Sequence, residues 1–148
     1  MTEGVPDGVT DGVIDHPAYR LAAPAPADAL PILIDSPHSG TEYPDDFAAV
    51  ADTAARRYAE DPFVDQLYAG APRVGATLLA ARFPRLYIDP NRSRDDIDDQ
   101  LLDAPWPGPV SPSPMGRLGM GLIWRLSDGR PIYDRRLGAA EVQRRIDR

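Results

Sequence analysis

The sequence contains no cysteine and no lysine. The absence of cysteine excludes disulfide bonds, thiol catalysis and any zinc site built on cysteine. Without lysine the chain cannot form a Schiff base or carry the lysine of a phosphate-binding P-loop. Only two histidines, His16 and His38, are present, so any imidazole chemistry depends on these two positions.

Long apolar runs and an excess of positive charge are also missing. No segment approaches the ~18 consecutive apolar residues of a membrane-spanning helix, and the N-terminal residues resemble no secretory signal. The formal net charge of -7 argues against general nucleic-acid binding, because neutralising phosphates needs a cationic surface. We therefore expect a cytoplasmic protein that binds neither membranes nor nucleic acid.

The chain is long enough, at 148 residues, for one domain with its own core. Residues 1–29 are rich in Gly, Pro, Asp and Ala and show no periodicity, which predicts a flexible arm. Residues 30–148 are expected to form one α/β domain. His16 lies in the predicted arm, where we expect a solvated residue; a stray metal ligand is the alternative.

Short apolar runs indicate the strands of the domain. Single strands are predicted over 30–35, 76–81 and 86–88. A hairpin is predicted between residues 120–126 and 132–133, because the sequence between them is typical of a turn.

Three helices are predicted between and after these strands. The first is alanine-rich and covers 47–58, and the last covers 137–148. The second begins at Asp61 and Pro62, where aspartate suits the N-cap and proline the first helical position. Its apolar residues recur at helical spacing, so we expect this helix to pack against the rest of the domain.

Chemistry is expected where the strand over 30–35 ends. His38 follows directly among small polar neighbours, and open α/β sheets place their sites at such strand ends. Neutral imidazole there suits zinc, which catalytic sites hold with three protein ligands and a water; the alternative is a histidine hydrogen-bonded into the loop. Glu42 lies four residues on, but a loop does not align these positions, which favours a surface carboxylate.

Three acidic residues near the second helix, Glu60, Asp61 and Asp65, form another candidate group. A helix that begins at the sheet edge would direct Asp61 toward the same crevice as His38, so Asp61 is either a metal ligand or simply an N-cap. Asp65 lies one turn further along. We expect it to have a structural role or to orient a ligand from outside the metal's coordination shell.

Asn91 and Arg92 follow the third predicted strand and begin a long irregular stretch over 89–116. The planar guanidinium of Arg92 can hold a substrate carboxylate through two hydrogen bonds. The alternative is an ion pair with one of the aspartates that follow. Trp106 and Trp124 are candidates for lining a pocket, although tryptophans more often anchor a core or a loop.

Five segments together resemble the N-formylglutamate amidohydrolase (N-formylglutamate deformylase) family. They occur in the family's order and with similar spacing, from about residue 30 onward, and they are Ser36–Gly40, Asp61–Tyr68, Gly75–Thr77, Arg85–Arg92 and Gly129–Tyr133. Each motif is short, but their ordered combination is specific.

The resemblance implies a three-layer α/β/α sandwich related to zinc carboxypeptidases, of which this chain holds the first half. It implies zinc-dependent hydrolysis of an N-formyl or N-acyl amino acid, foremost N-formyl-L-glutamate to formate and glutamate, by a bacterial enzyme. His38 and Asp61 would then bind zinc, and Asn91 and Arg92 would hold the substrate carboxylate.

The family's second half is expected to supply another histidine ligand and the catalytic carboxylate, so no catalytic base is assigned within this chain. The alternative is a catalytically incomplete relative that serves as a binding or interaction domain. A homo-oligomer is a further expectation.

Overall fold

The computed structural model describes residues 12–148. A four-stranded sheet organises the first part of this range and consists of β1 (Val13–Asp15), β2 (Tyr19–Ala22), β3 (Leu33–Ser36) and β4 (Thr77–Ala81). The strands lie in the order β1-β2-β4-β3. The pairs β1–β2 and β2–β4 are antiparallel, whereas β3 and β4 are parallel.

Four α-helices and a second, two-stranded sheet accompany the main sheet. The helices are α1 (Thr53–Ala59), α2 (Val64–Leu67), α3 (Pro114–Arg117) and α4 (Ala139–Ile146). The two-stranded hairpin pairs β5 (Leu126–Ser127) with β6 (Arg130–Pro131). Short 3₁₀ turns cover Pro26–Asp28, Ala71–Val74 and Asp99–Leu101. The predicted α/β class is confirmed.

The strand predictions around the parallel pair are confirmed, with β3 displaced by a few residues from the predicted 30–35. The predicted hairpin is also present, although its strands are shorter than expected and pair Leu126 with Pro131. Asp128 and Gly129 both have positive φ, of 49° and 69°. This backbone matches the twist of a two-residue hairpin turn and is the reason for glycine there.

The predicted flexible arm is wrong for residues 13–22. These residues form the β1–β2 hairpin, and β2 pairs with β4 along its whole length. Backbone pairing with a strand distant in sequence therefore overrides a local composition typical of a loop. His16 lies in the hairpin turn, where its Nδ1 accepts the backbone N–H of Ala18 at 3.1 Å. Residues 1–11 of the predicted arm lie outside the described residues.

Two of the helix predictions need correction. The helix predicted over 47–58 begins only at Thr53, because the N–H groups of Val50 and Ala51 donate to the Ile132 carbonyl instead. The helix predicted from Asp61 is reduced to α2, which follows Phe63 in a left-handed conformation, with φ 70°. Asp61 is therefore not its N-cap.

The packing expected for this second helix is also absent. Phe63, Leu67 and Tyr68 are 63%, 79% and 49% exposed, so its apolar side chains face outward in the described residues. The last helix is confirmed as α4.

The strand predicted over 86–88 is not a strand. Leu86 and Tyr87 are almost completely buried, but the Tyr87 N–H closes a turn on the Pro84 carbonyl. The apolar run thus predicted burial correctly but strand structure wrongly, because a short apolar run does not determine the backbone conformation.

Buried apolar residues form two groups. The main cluster is built on irregular segments and helices and contains Phe47, Leu86, Tyr87, Trp124, Ile132 and Leu137 among others. The sheet cluster consists of Ala71, Ala76 and Leu78, with Ala22 and Ile34 packed against them. Within residues 12–148, no helix is long and apolar enough to span a membrane.

Candidate functional site

The parallel pairing of β3 and β4 brings the candidate site together. Because both strands end at the same edge of the sheet, the segments that follow them start side by side. Gly40, after β3, lies so close to the Arg82 and Phe83 carbonyl groups, after β4, that any Cβ would collide with them. This close approach accounts for glycine in the Ser36–Gly40 segment and fixes the loop that carries His38.

Two buried serines stabilise the same loop. Ser36 and Ser39 are both buried, and the Ser36 hydroxyl donates to the Ser39 Oγ at 2.9 Å. The backbone of Asp61 joins the loop because its N–H donates to the His38 carbonyl at 3.1 Å. Residues distant in sequence are therefore held around the His38 ring by backbone as well as side-chain bonds.

The imidazole of His38 lies between two carboxylates. Its Nε2 is 2.9 Å from Oδ1 of Asp89, and its Nδ1 is 3.3 Å from Oδ2 of Asp61. The two carboxylates differ in environment, since the Asp89 side chain is fully buried and that of Asp61 is 57% exposed. The open side of the arrangement is therefore the side of Asp61.

Asp89 is the most heavily bonded carboxylate of the site. Its Oδ2 accepts from Arg85 Nη2 at 2.8 Å and from the indole N–H of Trp124 at 3.2 Å, while its Oδ1 also accepts the Asn91 backbone N–H at 3.0 Å. Burial alone would raise the pKa of Asp89, but the hydrogen bonds from His38 and Arg85 outweigh it and lower the pKa to about 2. Asp89 is therefore ionised at neutral pH.

An ionised Asp89 fixes the role of each nitrogen of His38. A carboxylate can only accept, so Nε2 carries the hydrogen and donates it to Asp89. In a neutral imidazole the lone pair is then on Nδ1 and faces the Asp61 carboxylate. Two acceptors 3.3 Å apart repel each other unless a proton or a metal ion lies between them.

The separation of the donor pair is compatible with a shared zinc ion as well as with a hydrogen bond. Ligand atoms on a tetrahedral zinc with bonds of about 2.0–2.1 Å lie about 3.3–3.4 Å apart, which matches the distance from His38 Nδ1 to Asp61 Oδ2. Metal-binding histidines typically donate their other N–H to a carboxylate, the place that Asp89 takes. No group of three or more potential ligands occurs among residues 12–148. The described residues therefore fit zinc as two of its ligands.

Arg92 lies beside this cluster. Its Nε is 3.8 Å from Oδ2 of Asp89 and donates to the Met120 carbonyl at 3.2 Å. It pairs with none of the later aspartates that were the alternative; one of them, Asp98, binds Arg125 instead, at 2.7 Å. Asn91 contributes its backbone N–H to Asp89, and its side chain is exposed.

Arg92 and Asp89 border a cavity of about 740 Å³ on the sheet side of the cluster. Leu79 and Leu122 contribute to its apolar wall. The volume lies in the range of small-molecule sites, which are mostly apolar with a few charged groups.

Several candidates are not brought into the cluster. Glu42 is bound to Arg82, with Oε1 2.8 Å from Nη2, so the interpretation as a surface carboxylate is confirmed. Asp65 forms no hydrogen bond or ion pair with His38 or Asp61 among the described residues, and its proposed orienting role stays a prediction. Trp106 is half-buried and lines a different cavity from Arg92.

Sequence reasoning missed Asp89, Arg85 and Trp124 as site residues. Asp89 lies inside the Arg85–Arg92 segment, directly after a buried apolar run, which is the same signal that identified His38. Arg85 holds Asp89 from one side and stacks over the Trp124 ring, with its guanidinium carbon 4.7 Å from the ring centroid. Trp124 was weighed only as a pocket wall or core anchor, yet its N–H completes the Asp89 site.

The fold and the site define an α/β protein with a histidine–carboxylate cluster at the carboxyl edge of a parallel strand pair. The model of one protein family, N-formylglutamate amidohydrolase, matches residues 30–148. The crystal structure of N-formylglutamate amidohydrolase from Ralstonia eutropha JMP134 is 57% identical and superposes with a TM-score of 0.84. The chain belongs to the N-formylglutamate amidohydrolase family. A comparison with curated proteins gave no significant match.

The match to the Ralstonia eutropha structure covers different shares of the two chains. It covers 88% of this chain but only 47% of the other. The chain therefore spans about half the length of the solved relative.

Proposed function

We propose that the chain carries the zinc-binding part of an amidohydrolase that cleaves the amide bond of an N-formyl or N-acyl amino acid, foremost N-formyl-L-glutamate to formate and glutamate. The observation that supports this most strongly is the Asp61–His38–Asp89 arrangement in a chain of this family. The proposal includes a three-layer α/β/α sandwich related to zinc carboxypeptidases as the fold. It also includes a bacterial source and a cytoplasmic location.

His38 and Asp61 would hold the zinc, through Nδ1 and Oδ2. Asp89 is the positioning residue, because it accepts the Nε2–H of His38 and so keeps the Nδ1 lone pair directed toward Asp61. Arg85 and Trp124 in turn keep the Asp89 carboxylate in place. The rigidity of this buried side fits a site whose ligands must be prearranged.

Arg92 would bind the carboxylate of the substrate. Its Nε is bonded to Met120 and held near Asp89, which orients the guanidinium at the border of the cavity. A planar guanidinium can form paired hydrogen bonds with a carboxylate. It supplies a local positive charge in a chain of net charge -7. Asn91 would assist from the neighbouring position.

Zinc, when bound, would polarise the scissile carbonyl and lower the pKa of its water toward about 7. The chain's own residues orient the ligand, anchor the substrate anion and exclude water from the Asp89 side. No residue of the described chain is assigned as general base.

The test is formate release from N-formyl-L-glutamate by the purified chain, with and without added zinc. Zinc-dependent release that His38→Ala reduces to background would support the proposal. His16→Ala is the matched control, because it removes the other histidine, which is exposed in the β1–β2 turn. Release that is independent of zinc, or equal in His38→Ala, would contradict the proposal.

A second candidate is a catalytically incomplete relative that serves as a binding or interaction domain. It is favoured by the two-ligand site and by the match to less than half of the Ralstonia eutropha protein. Calorimetry separates the candidates, since this one predicts binding of N-formyl-L-glutamate that Arg92→Gln weakens, with no formate released under any zinc condition.

A further inference from the structure

Phe63 has an unusual backbone conformation. Two non-glycine residues between positions 12 and 148 have positive φ, Asp128 at 49° and Phe63 at 70°. Asp128 lies in a tight hairpin turn, and aspartate tolerates the left-handed region because its short side chain can form hydrogen bonds locally. Phenylalanine has no such compensation, since the left-handed region brings its Cβ close to the following carbonyl oxygen. The conformation of Phe63 therefore costs free energy that another part of the structure must offset.

Packing of the phenyl ring does not explain this conformation. Phe63 is 63% exposed, so its ring is not fixed by burial in a core. The α2 helix that follows has four residues, none of them buried, so it contributes little that would offset the strain. Strained residues persist where their surroundings determine the conformation, and they are concentrated at functional sites. Phe63 lies two positions after Asp61, which contacts His38 in the candidate site.

Asp61 and Pro62 have the sequence of a helix start, but the helix does not begin there. An N-cap aspartate accepts a backbone N–H group two or three positions further along the chain. Within the described residues no backbone N–H donates to the Asp61 carboxylate. Its Oδ2 lies 3.3 Å from Nδ1 of His38 and 3.8 Å from Nη1 of Arg85 instead. The left-handed Phe63 separates Asp61 from α2, which begins only after it.

The other side of Asp61 is anchored to the loop that carries His38. The Asp61 N–H donates to the His38 carbonyl at 3.1 Å, and the preceding Glu60 accepts the hydroxyl of Tyr43. The chain is thus held up to Asp61 and must turn after it to continue into α2. We propose that Phe63 is a second positioning residue of the site: its left-handed backbone keeps Asp61 away from the N-terminus of α2 and directs its carboxylate toward His38.

The part of this inference that concerns zinc rests on the proposed function, because Asp61 and His38 are the proposed ligand pair. The part that concerns the backbone depends on the conformation of Phe63 and on the hydrogen bonds around Asp61 alone. A purely structural role for Phe63 is the alternative. A substitution would then change the stability of the whole chain without a specific effect at Asp61.

Three substitutions of Phe63 separate the role of the backbone from that of the ring, because all of them remove the phenyl group. Phe63→Gly and Phe63→Asn permit the left-handed conformation, since glycine has no Cβ and asparagine is tolerated there. Phe63→Val opposes it, because positive φ is strongly disfavoured for a β-branched residue. A backbone role predicts a defect in Phe63→Val alone, whereas a role of the ring predicts the same defect in all three variants.

The first measurement is amide hydrogen exchange in the zinc-free chain, followed by NMR. The Asp61 N–H reports on its bond to the His38 carbonyl, and the Leu137 N–H, which donates to the Leu101 carbonyl at 2.8 Å, reports on the main cluster. Phe63→Val should reduce protection of the Asp61 N–H by on the order of tenfold more than that of the Leu137 N–H. Equal changes at both amides in Phe63→Val, or an equal loss at Asp61 in all three variants, would overturn the inference.

The affinity for zinc, measured by calorimetry, is the second readout. Phe63→Val should weaken zinc binding about tenfold or more, whereas Phe63→Gly and Phe63→Asn should stay close to the wild-type affinity. Equal affinities of Phe63→Val and Phe63→Gly would overturn the role of Phe63 at the ligand pair. If the wild-type chain binds no zinc, the proposed function fails, and the exchange measurement still decides whether Phe63 positions Asp61.

Discussion

The main cluster and the sheet cluster differ in size and in the backbone that builds them. The main cluster contains 17 buried residues and is formed largely by irregular segments, α1 and α4, whereas the sheet cluster contains three. In most α/β proteins the sheet is the centre of the core. Here the buried residues of the sheet belong to the smaller cluster, and the larger cluster is built on other segments.

Polar groups reinforce this difference. The main cluster encloses Arg145, which donates to the Tyr87 carbonyl at 3.0 Å, to the Tyr133 hydroxyl at 2.7 Å and to Glu141 at 2.6 Å. The buried Asp89 network adjoins the same cluster through Trp124. His38 contacts the buried Asp89 through Nε2 and the exposed Asp61 through Nδ1, so the candidate site is buried on one side and open on the other.

The largest effect is expected from the buried cation. Arg145→Ala removes three hydrogen bonds and leaves a void among aromatic rings, so it should lower the free energy of unfolding by about 3–5 kcal/mol. Arg135→Ala is the matched control, because Arg135 binds the same Glu141 from a 44% exposed position. Arg135→Ala should lower the free energy of unfolding by less than about 1 kcal/mol. Urea unfolding measures both, and similar losses would contradict the distinction.

A pair of leucines compares the two regions directly. Leu137 is completely buried in the main cluster, and Leu33, in β3 of the sheet, is 60% exposed. Leu137→Ala should cost about 2–5 kcal/mol because it creates a cavity. Leu33→Ala should change the unfolding free energy by less than about 0.5 kcal/mol. A loss from Leu33→Ala in urea unfolding as large as that from Leu137→Ala would contradict this difference between the two leucines.

Asp89, which adjoins the main cluster through Trp124, should affect the affinity for zinc and not only the stability of the fold. Asp89→Asn removes the charged acceptor of the His38 N–H and should weaken zinc binding about 10–100-fold, measured by calorimetry. Asp98→Asn is the control, since Asp98 is also buried but binds Arg125. Equal losses of zinc affinity in both variants would indicate general destabilisation instead of positioning.

The smallest expected effect is a dependence of the unfolding free energy on pH that arises from Glu141, a partner of the buried Arg145. Burial would raise the pKa of Glu141, but hydrogen bonds from Arg135 and Arg145 outweigh it and hold the pKa below the ordinary 4.5. A carboxyl with a lowered folded-state pKa stabilises the fold above its unfolded-state pKa, and this stability is lost as the pH falls through the folded value.

The urea concentration at the midpoint of unfolding of the wild-type chain should therefore decrease as the pH is lowered below about 5. The fall should be shallower in Glu141→Gln. Parallel curves for the two proteins would show that Glu141 contributes nothing to acid sensitivity.

The sequence predicted β3, β4 and α4 because each has a clear apolar pattern bounded by turn residues. It missed the β1–β2 hairpin, whose stability comes from pairing with β4 at a distance of about sixty residues in the chain, as the register of Tyr19 with Ala81 shows. Long-range pairing of this kind leaves little local signal. The false strand at 86–88 has a different cause: its apolar run indicated burial correctly, but the backbone is fixed by a local turn in which the Tyr87 N–H donates to the Pro84 carbonyl.

For the site, position at a strand end identified His38, and the structure brings Asp61 to it as expected. Asp89 also follows an apolar run, but it was missed because it is one of many aspartates in this part of the sequence, and the sequence alone does not show which of them is buried. Only the fold shows that Arg85, Trp124 and His38 converge on it. Asp61 was partly explained as a helix cap, an interpretation that the left-handed Phe63 removes.

The most direct test of the account is X-ray absorption at the zinc edge of the zinc-loaded chain. We predict coordination by one imidazole nitrogen and by oxygen ligands, with the imidazole signal lost in His38→Ala and retained in His16→Ala. Zinc bound without an imidazole, or an unchanged spectrum in His38→Ala, would contradict the assignment of His38 as the metal ligand.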